Sequence, residues 1–135
     1  MKILIAEDDR LSRTFLKEFM KTYGACDLAT DGMETLDLVL EAMKQKESYD
    51  LLCLDIMMPK VDGFKVLKVI RGLEQQYKVP QEQHMKIIMM TAVVDVDYVD
   101  QAFSSGCDAY ASKPINMEKV QEVMQQLGLV PVSHE

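Results

Sequence analysis

Short apolar runs alternate with longer amphipathic stretches from one end of this chain to the other. Three of the runs, at 2–6, 50–54 and 86–90, are apolar apart from their first residues, as strands covered on both faces must be. Weaker runs at 25–29 and 108–111 have the mixed character of strands at the edge of a sheet. This alternation predicts repeated βα units around a parallel sheet, with the three apolar runs as its central strands.

Apolar residues recur at helical spacing in four of the stretches between and after these runs, which predicts four helices. The four sets are Leu11, Phe15, Phe19 and Tyr23; Leu36, Leu40 and Met43; Ile70, Leu73 and Tyr77; and Met117, Val120, Met124 and Leu127. A shorter helix is predicted at about 95–105, starting near Asp95 and ending at Gly106. Asp62 and Asn116 are residue types that cap helices, and they predict the starts of the third and fifth helices.

The composition is that of one ordinary folded domain, because 48% of the 135 residues are hydrophobic and 27% are charged. We expect a domain at 1–127 and a frayed tail at 128–135, with a polar loop at 78–85. A net charge of -7 disfavours direct binding to nucleic acid or to an anionic membrane. The apolar run at 2–6 is too short for a signal peptide or a membrane span, so we expect a cytoplasmic protein with reduced cysteines.

Polar residues gather at the carboxyl ends of the predicted strands, where open parallel sheets bind their ligands. Glu7 and Asp8 follow the first strand, Asp55 ends the third, Thr91 follows the fourth, and Lys113 follows the fifth. Each has an ordinary structural interpretation on its own, as a helix cap, a solvated lysine or a strand end. Their joint occurrence at one edge of the sheet indicates a functional site.

The charges of this cluster predict its ligand. Carboxylates about 4 Å apart repel by roughly 4 kcal/mol at an effective dielectric constant of about 20, so Glu7, Asp8 and Asp55 need compensation. One lysine leaves two negative charges over, which matches one divalent cation, and an all-oxygen site with room for water and phosphate suits Mg2+. Mg2+ and a lysine beside a carboxylate can catalyse phosphoryl transfer, because both cations neutralise the oxygens of the transferred group. Asp55 is then the natural nucleophile.

These motifs, in this order, strongly resemble the receiver domain of two-component response regulators, the family of the chemotaxis protein CheY. The resemblance covers about residues 2–127 and rests on four segments of the chain. They read Ile-Leu-Ile-Ala-Glu-Asp-Asp, Leu-Asp-Ile-Met-Met-Pro-Lys-Val-Asp-Gly, Met-Thr-Ala and Gly-Cys-Asp-Ala-Tyr-Ala-Ser-Lys-Pro. The resemblance implies an α/β fold of the flavodoxin-like, CheY-like type: a doubly wound parallel sheet of five strands in the order 2-1-3-4-5, with five helices.

The resemblance also implies roles for the acidic residues. Asp55 corresponds to the phosphoacceptor of the family. Glu7 and Asp8, together with Asp55 and the backbone carbonyl of Met57, correspond to the groups that hold Mg2+. Asp9 lies outside this set, and we interpret it as a helix cap.

The remaining site residues correspond to the groups that sense the phosphoryl group. Lys113 resembles the lysine that neutralises the phosphoryl charge, and its bond to Pro114 resembles the cis peptide of the family. Thr91 resembles the hydroxyl that moves to bond the phosphoryl group, and Tyr110 the aromatic that turns inward in the active state. A half-buried aromatic on an edge strand is the structural alternative for Tyr110. The family's output surface corresponds to residues 95–127.

The function implied is that of a signalling switch rather than a turnover enzyme. It would take a phosphoryl group from the phosphohistidine of a sensor histidine kinase or a phosphotransfer protein, as a monomer or weak dimer, and then bind a downstream protein through 95–127. Three other functions are disfavoured by the sequence. A phosphatase of the haloacid dehalogenase type needs a second acid where Met57 stands, and a flavodoxin-type module needs a phosphate-binding loop where this chain has acids. A P-loop nucleotide enzyme needs a P-loop motif, which is absent. A free-standing carrier, a phosphorelay intermediate and a receiver belonging to a larger regulator remain open.

Overall fold

The computed structural model describes residues 1–92 and 96–132. In this part of the chain, five strands alternate with five helices. They are β1 (Lys2–Ala6), α1 (Arg10–Met20), β2 (Ala25–Ala29), α2 (Gly32–Lys44), β3 (Leu51–Asp55), α3 (Gly63–Gln76), β4 (Lys86–Thr91), α4 (Val96–Ser104), β5 (Ala109–Ser112) and α5 (Met117–Gln126). The strands form one parallel sheet in the order β2-β1-β3-β4-β5, which confirms the predicted topology and places β2 and β5 at the edges.

Helices cover both faces of the sheet, and alternate residues of each strand therefore enter different hydrophobic cores. On one face, Leu16 and Met20 of α1 and Val120 and Met124 of α5 pack against the sheet. On the other face, residues of α2, α3 and α4 form the second core; these include Val39, Ala42, Val66, Leu67, Ile70 and Ala102. None of the helices in the described part of the chain is long and apolar enough to cross a membrane.

Two strands begin one residue later than the sequence predicts, because an aspartate stands at the start of each apolar run. Asp50 precedes β3, and its carboxylate accepts a hydrogen bond of 2.7 Å from the backbone N–H of Lys2. Asp108 precedes β5, and its carboxylate accepts one of 2.8 Å from the N–H of Ile87. Both side chains therefore bond to the backbone of another strand, and the pairing of β3 and β5 begins after them.

The predicted helix caps are confirmed. The carboxylates of Asp9 and Asp62 accept hydrogen bonds from the backbone three residues further on, at the starts of α1 and α3, and the amide oxygen of Asn116 does the same for α5. The predicted helix at 95–105 is observed over Val96–Ser104, and its predicted first residue, Asp95, lies outside the described residues.

Two segments that the sequence predicts to be irregular are more ordered than expected. The loop at 78–85 contains a 3-10 helix (Gln81–Gln83) and ends in the buried side chain of Met85. In the predicted frayed tail, Leu129 packs against the core beneath α1 and α5, and the N–H of Val132 donates to the carbonyl of Thr22 at 2.8 Å. Residues 133–135 lie outside the described residues.

An ionic network around the buried Glu74 stabilises the end of the sheet that is opposite the polar cluster. The guanidinium of Arg71 donates to the carbonyls of Gly106 and Met85 and to the carboxylates of Glu74 and Asp108, at 2.7–2.9 Å. Glu74 is 2% exposed and also accepts a hydrogen bond of 2.6 Å from the N–H of Met85. This network ties α3 to the segments that lead into β4 and β5.

Candidate functional site

Three carboxylates meet where β1 and β3 end side by side. One oxygen from each of Glu7, Asp8 and Asp55 lies within 4.8 Å of the others. The side chains of Glu7 and Asp55 are buried, at 0% and 2% exposure, whereas Asp8 is exposed to solvent. The structure thus brings together the three acids that the sequence singled out, with two of them inside the protein and one at its surface.

Lys113 reaches into this cluster from the end of β5. Its ammonium nitrogen lies 2.6 Å from Oε1 of Glu7 and 3.1 Å from Oδ2 of Asp55. Burial on its own lowers the pKa of Lys113, but the close contact with Glu7 and the charges of both carboxylates outweigh burial and raise it. One cation is therefore shared by two buried anions. The peptide bond from Lys113 to Pro114 is cis, as the family resemblance implies.

The electrostatic cost of the cluster is concentrated at Glu7. Burial and, secondarily, the neighbouring Asp55 raise the pKa of Glu7 to about 7, although Lys113 acts in the opposite direction. Oε1 of Glu7 is buried and receives no hydrogen bond of good geometry from the described residues, despite its contact with Lys113. A donor set made only of carboxylate oxygens, with one buried oxygen incompletely satisfied, fits a hard divalent cation.

The backbone after Asp55 folds back tightly beneath the site. Oδ1 of Asp55 accepts a hydrogen bond of 3.1 Å from the N–H of Met57. Further on, Gly63 opens α3 directly against this backbone, and a Cβ atom at Gly63 would lie 2.6 Å from Cα of Ile56 and 2.7 Å from the carbonyl oxygen of Asp55. Only glycine permits this approach, and it fixes the start of α3 next to the phosphoacceptor position predicted from the sequence.

Arg13 is a contributor that the sequence did not indicate. Its guanidinium donates to the backbone carbonyls of Glu7 and Asp8, at 3.0 and 3.3 Å, while the N–H of Asp9 donates to Oε2 of Glu7 at 3.2 Å. These bonds hold the turn that presents the two acids. The spacing of Arg13 from Asp9, one helical turn into α1, is the only sequence signal that could have indicated this contact.

The two residues expected to sense the phosphoryl group lie on neighbouring strands. Thr91 is buried at the end of β4, one residue beyond the position paired with Asp55. Tyr110 lies on β5, is half-buried and packs against the core on the α2, α3 and α4 face. Met57, whose side chain is 59% exposed, stands at the position where a haloacid dehalogenase would require a second acid.

Comparison with known proteins shows which family the chain belongs to. The family model described as "Response regulator receiver domain" matches residues 3–125. This chain belongs to the response regulator receiver family. It is 31% identical over 128 residues to the osmosensing histidine protein kinase SLN1 of Saccharomyces cerevisiae, a match that covers 93% of this chain and 10% of the kinase. Across the first curated relatives that it matches, the receiver spans between 7% and 50% of their full length.

Solved receiver structures superimpose closely on this receiver. The chemotaxis protein CheY4 of Vibrio cholerae is 25% identical, with a TM-score of 0.75 and coverage of 93% of this chain and 96% of that chain. The receiver domain of the histidine kinase CKI1 from Arabidopsis thaliana, solved in complex with Mg2+, is 23% identical, with a TM-score of 0.79 and coverage of 93% and 90%. The second comparison supports the fold alone.

Proposed function

We propose that Asp55 accepts a phosphoryl group and that Glu7, Asp8, Asp55 and the backbone carbonyl of Met57 hold Mg2+ beside it. The observation that carries this proposal is the meeting of three carboxylates within 4.8 Å, two of them buried and both paired with the single ammonium group of Lys113. Packing alone does not favour such a group of like charges. A site that binds a cation and an anionic phosphoryl group gives each of these residues a role.

The reaction joins an Asp55 oxygen to phosphorus as the bond from phosphorus to the donor breaks. With a phosphohistidine donor, the P–N bond breaks and the imidazole leaves with its electron pair; with acetyl phosphate, acetate leaves. Lys113 already lies 3.1 Å from Oδ2 of Asp55, so its ammonium can neutralise the oxygens of the arriving group. A bound Mg2+ would supply further positive charge to the same oxygens.

The proposal extends to the response of the protein once Asp55 is phosphorylated. Thr91 and Tyr110 respond to the phosphoryl group and change the surface formed by 95–127, which binds a downstream protein. The phosphoryl donor is a sensor histidine kinase or a phosphotransfer protein, in keeping with a relative that is itself a histidine kinase. The protein acts in the cytosol, as a monomer or weak dimer, and as a switch rather than a turnover enzyme.

Labelling with acetyl phosphate in the presence of Mg2+ tests the acceptor. The wild type should give an acid-stable, base-labile phosphoprotein, and Asp55→Asn should not be labelled. Asp9→Asn is the matched control, because it changes an aspartate beside the site whose only described side-chain role is to cap α1, which asparagine also does. Excess chelator or Asp8→Asn should abolish labelling while the fold is kept. Equal labelling of wild type and Asp55→Asn would contradict the proposal.

A further inference from the structure

The turn at residues 30–32, which leads from β2 into the first residue of α2 and lies outside the acidic cluster, is in direct contact with the segment that comes after Asp55. The N–H of Gly32 donates to the carbonyl of Pro59 at 3.3 Å, and the carboxylate of Asp31 lies 3.3 Å from the ammonium of Lys60. The backbone of Gly32 also packs against Val61. Three successive residues of the 57–61 segment are therefore held from one side by this turn.

The contact at Gly32 leaves no room for a side chain. A Cβ atom there would lie 2.0 Å from the carbonyl oxygen of Val61 and 2.7 Å from its Cβ, both far inside normal contact distance. Gly32 is the first residue of α2, whose start is fixed by Asp31 as the cap and by the buried side chains of Thr35 and Val39. Because the helix is anchored in the core, an added methyl group would displace the 57–61 segment rather than the helix.

The 57–61 segment is short, and its first residue is hydrogen-bonded to the side chain of Asp55. The N–H of Met57 donates to Oδ1 of Asp55 at 3.1 Å, and the N–H of Val61 donates back to the carbonyl of Pro59 at 2.9 Å. Within it, Lys60 adopts a left-handed backbone conformation with φ of 71°, which non-glycine residues adopt only where the surroundings enforce it. A displacement at Val61 is therefore transmitted to Met57, only four residues away.

We propose that Gly32, with the Asp31–Lys60 ion pair, is a positioning element that sets the place of the Met57 carbonyl and thereby the affinity of the site for a divalent cation. This inference rests on the proposed Mg2+ site. Groups that orient metal ligands without touching the metal typically change the affinity by about 10–100-fold when they are altered. Gly32→Ala should therefore weaken Mg2+ binding by about 10-fold or more.

Gly72→Ala is the matched control, because Gly72 lies inside α3 and has open space where its Cβ atom would lie. Mg2+ affinity is measured by titrating the full chain and monitoring heat release and amide chemical shifts, and thermal unfolding is recorded for each variant. We expect Gly72→Ala to bind Mg2+ as the wild type does. Equal affinities for Gly32→Ala and Gly72→Ala would overturn the inference, whereas a wild type that binds no Mg2+ would overturn the proposed metal site itself.

A second pair of variants tests the same idea without adding bulk at Gly32. Lys60→Gly and Lys60→Ala remove the same charge, but only glycine frees the backbone at this left-handed position. Lys60→Gly should bind Mg2+ about 2–5-fold more weakly than Lys60→Ala while melting at the same or a higher temperature. If Lys60 had only a structural role, the Mg2+ affinity and the thermal stability of the two variants would change together. Equal Mg2+ affinities in this pair would contradict the positioning role.

Discussion

Removing the charge of Glu7 should stabilise the metal-free protein. The pKa of Glu7 is raised from an ordinary value of 4.5 to about 7, first because the side chain is buried and then because Asp55 lies beside it. Between these two pH values the folded chain keeps a proton that the unfolded chain has lost. Stability therefore falls as the pH rises from about 4.5 through 7, and it is not affected by Glu7 below that range.

The size of the effect can be worked out from the two pKa values. A rise from 4.5 to about 7 corresponds to a loss of about 3 kcal/mol in the free energy of unfolding at pH 8. For a domain of this length, that is a change of about 10 °C in Tm. Glu7→Gln should recover most of this loss at pH 8 in the presence of chelator and should gain little at pH 4.5.

Urea and thermal unfolding of both proteins from pH 4.5 to 8 provide the assay, with Asp8→Asn as the exposed control. Because Asp8 is solvent-exposed, its replacement should change stability by less than about 1 kcal/mol. Saturating Mg2+ should stabilise the wild type more than Glu7→Gln, since the variant has lost a charged ligand. Parallel pH profiles for wild type and Glu7→Gln, or a less stable variant at pH 8, would refute the reasoning.

Two further predictions concern propagation and the fold. Thr91→Ala should accept the phosphoryl group as the wild type does, but phosphorylation of this variant should not change its amide exchange across 95–127. The reason is that a ligand shifts a two-state protein only through contacts that differ between the states. An exchange change equal to that of phosphorylated wild type would contradict this prediction. Arg71→Met should lower the free energy of unfolding by about 3–5 kcal/mol, since the buried carboxylate of Glu74 loses its arginine partner and keeps the N–H of Met85 and, at 3.6 Å, Nδ1 of His84. The double replacement of Arg71 and Glu74 by Met should cost less than the sum of the single ones, and additive losses would exclude the proposed coupling.

The elements of this fold were predictable where burial is continuous and local. β1, β3 and β4 are covered on both faces, so their apolar runs showed in the sequence. Helical spacing was less informative about which residues enter the core. Leu11 and Met117 begin the apolar patterns of α1 and α5, yet they are 81% and 60% exposed. The buried residues of these helices come later, at Leu16 and Met20 in α1 and at Val120, Val123 and Met124 in α5.

The acidic cluster was predictable from the topology of the sheet, whereas the contacts that hold its backbone in place were not. Strand order alone brings Glu7 and Asp55 together, because parallel strands that are neighbours end at the same edge. The contacts of Gly32 with Val61, and those of Arg13 with the acidic turn, depend on how separate segments approach in space. No periodicity encodes such distances, so a sequence shows these residues only as an ordinary glycine and an ordinary arginine.

Glu7 supplies the strongest physical argument that this edge of the sheet is kept for function. An acid whose pKa lies near 7 inside the protein weakens the fold at neutral pH, and glutamine at this position would avoid that cost with almost the same volume. The two hydrophobic cores on either side of the sheet give no packing reason for a charge here. Binding chemistry gives one: a buried carboxylate that is incompletely satisfied by Lys113 holds a cation more strongly than a neutral amide does. The charge of Glu7 therefore destabilises the metal-free protein because it is buried beside Asp55, and a bound Mg2+ should offset that cost by supplying a positive charge.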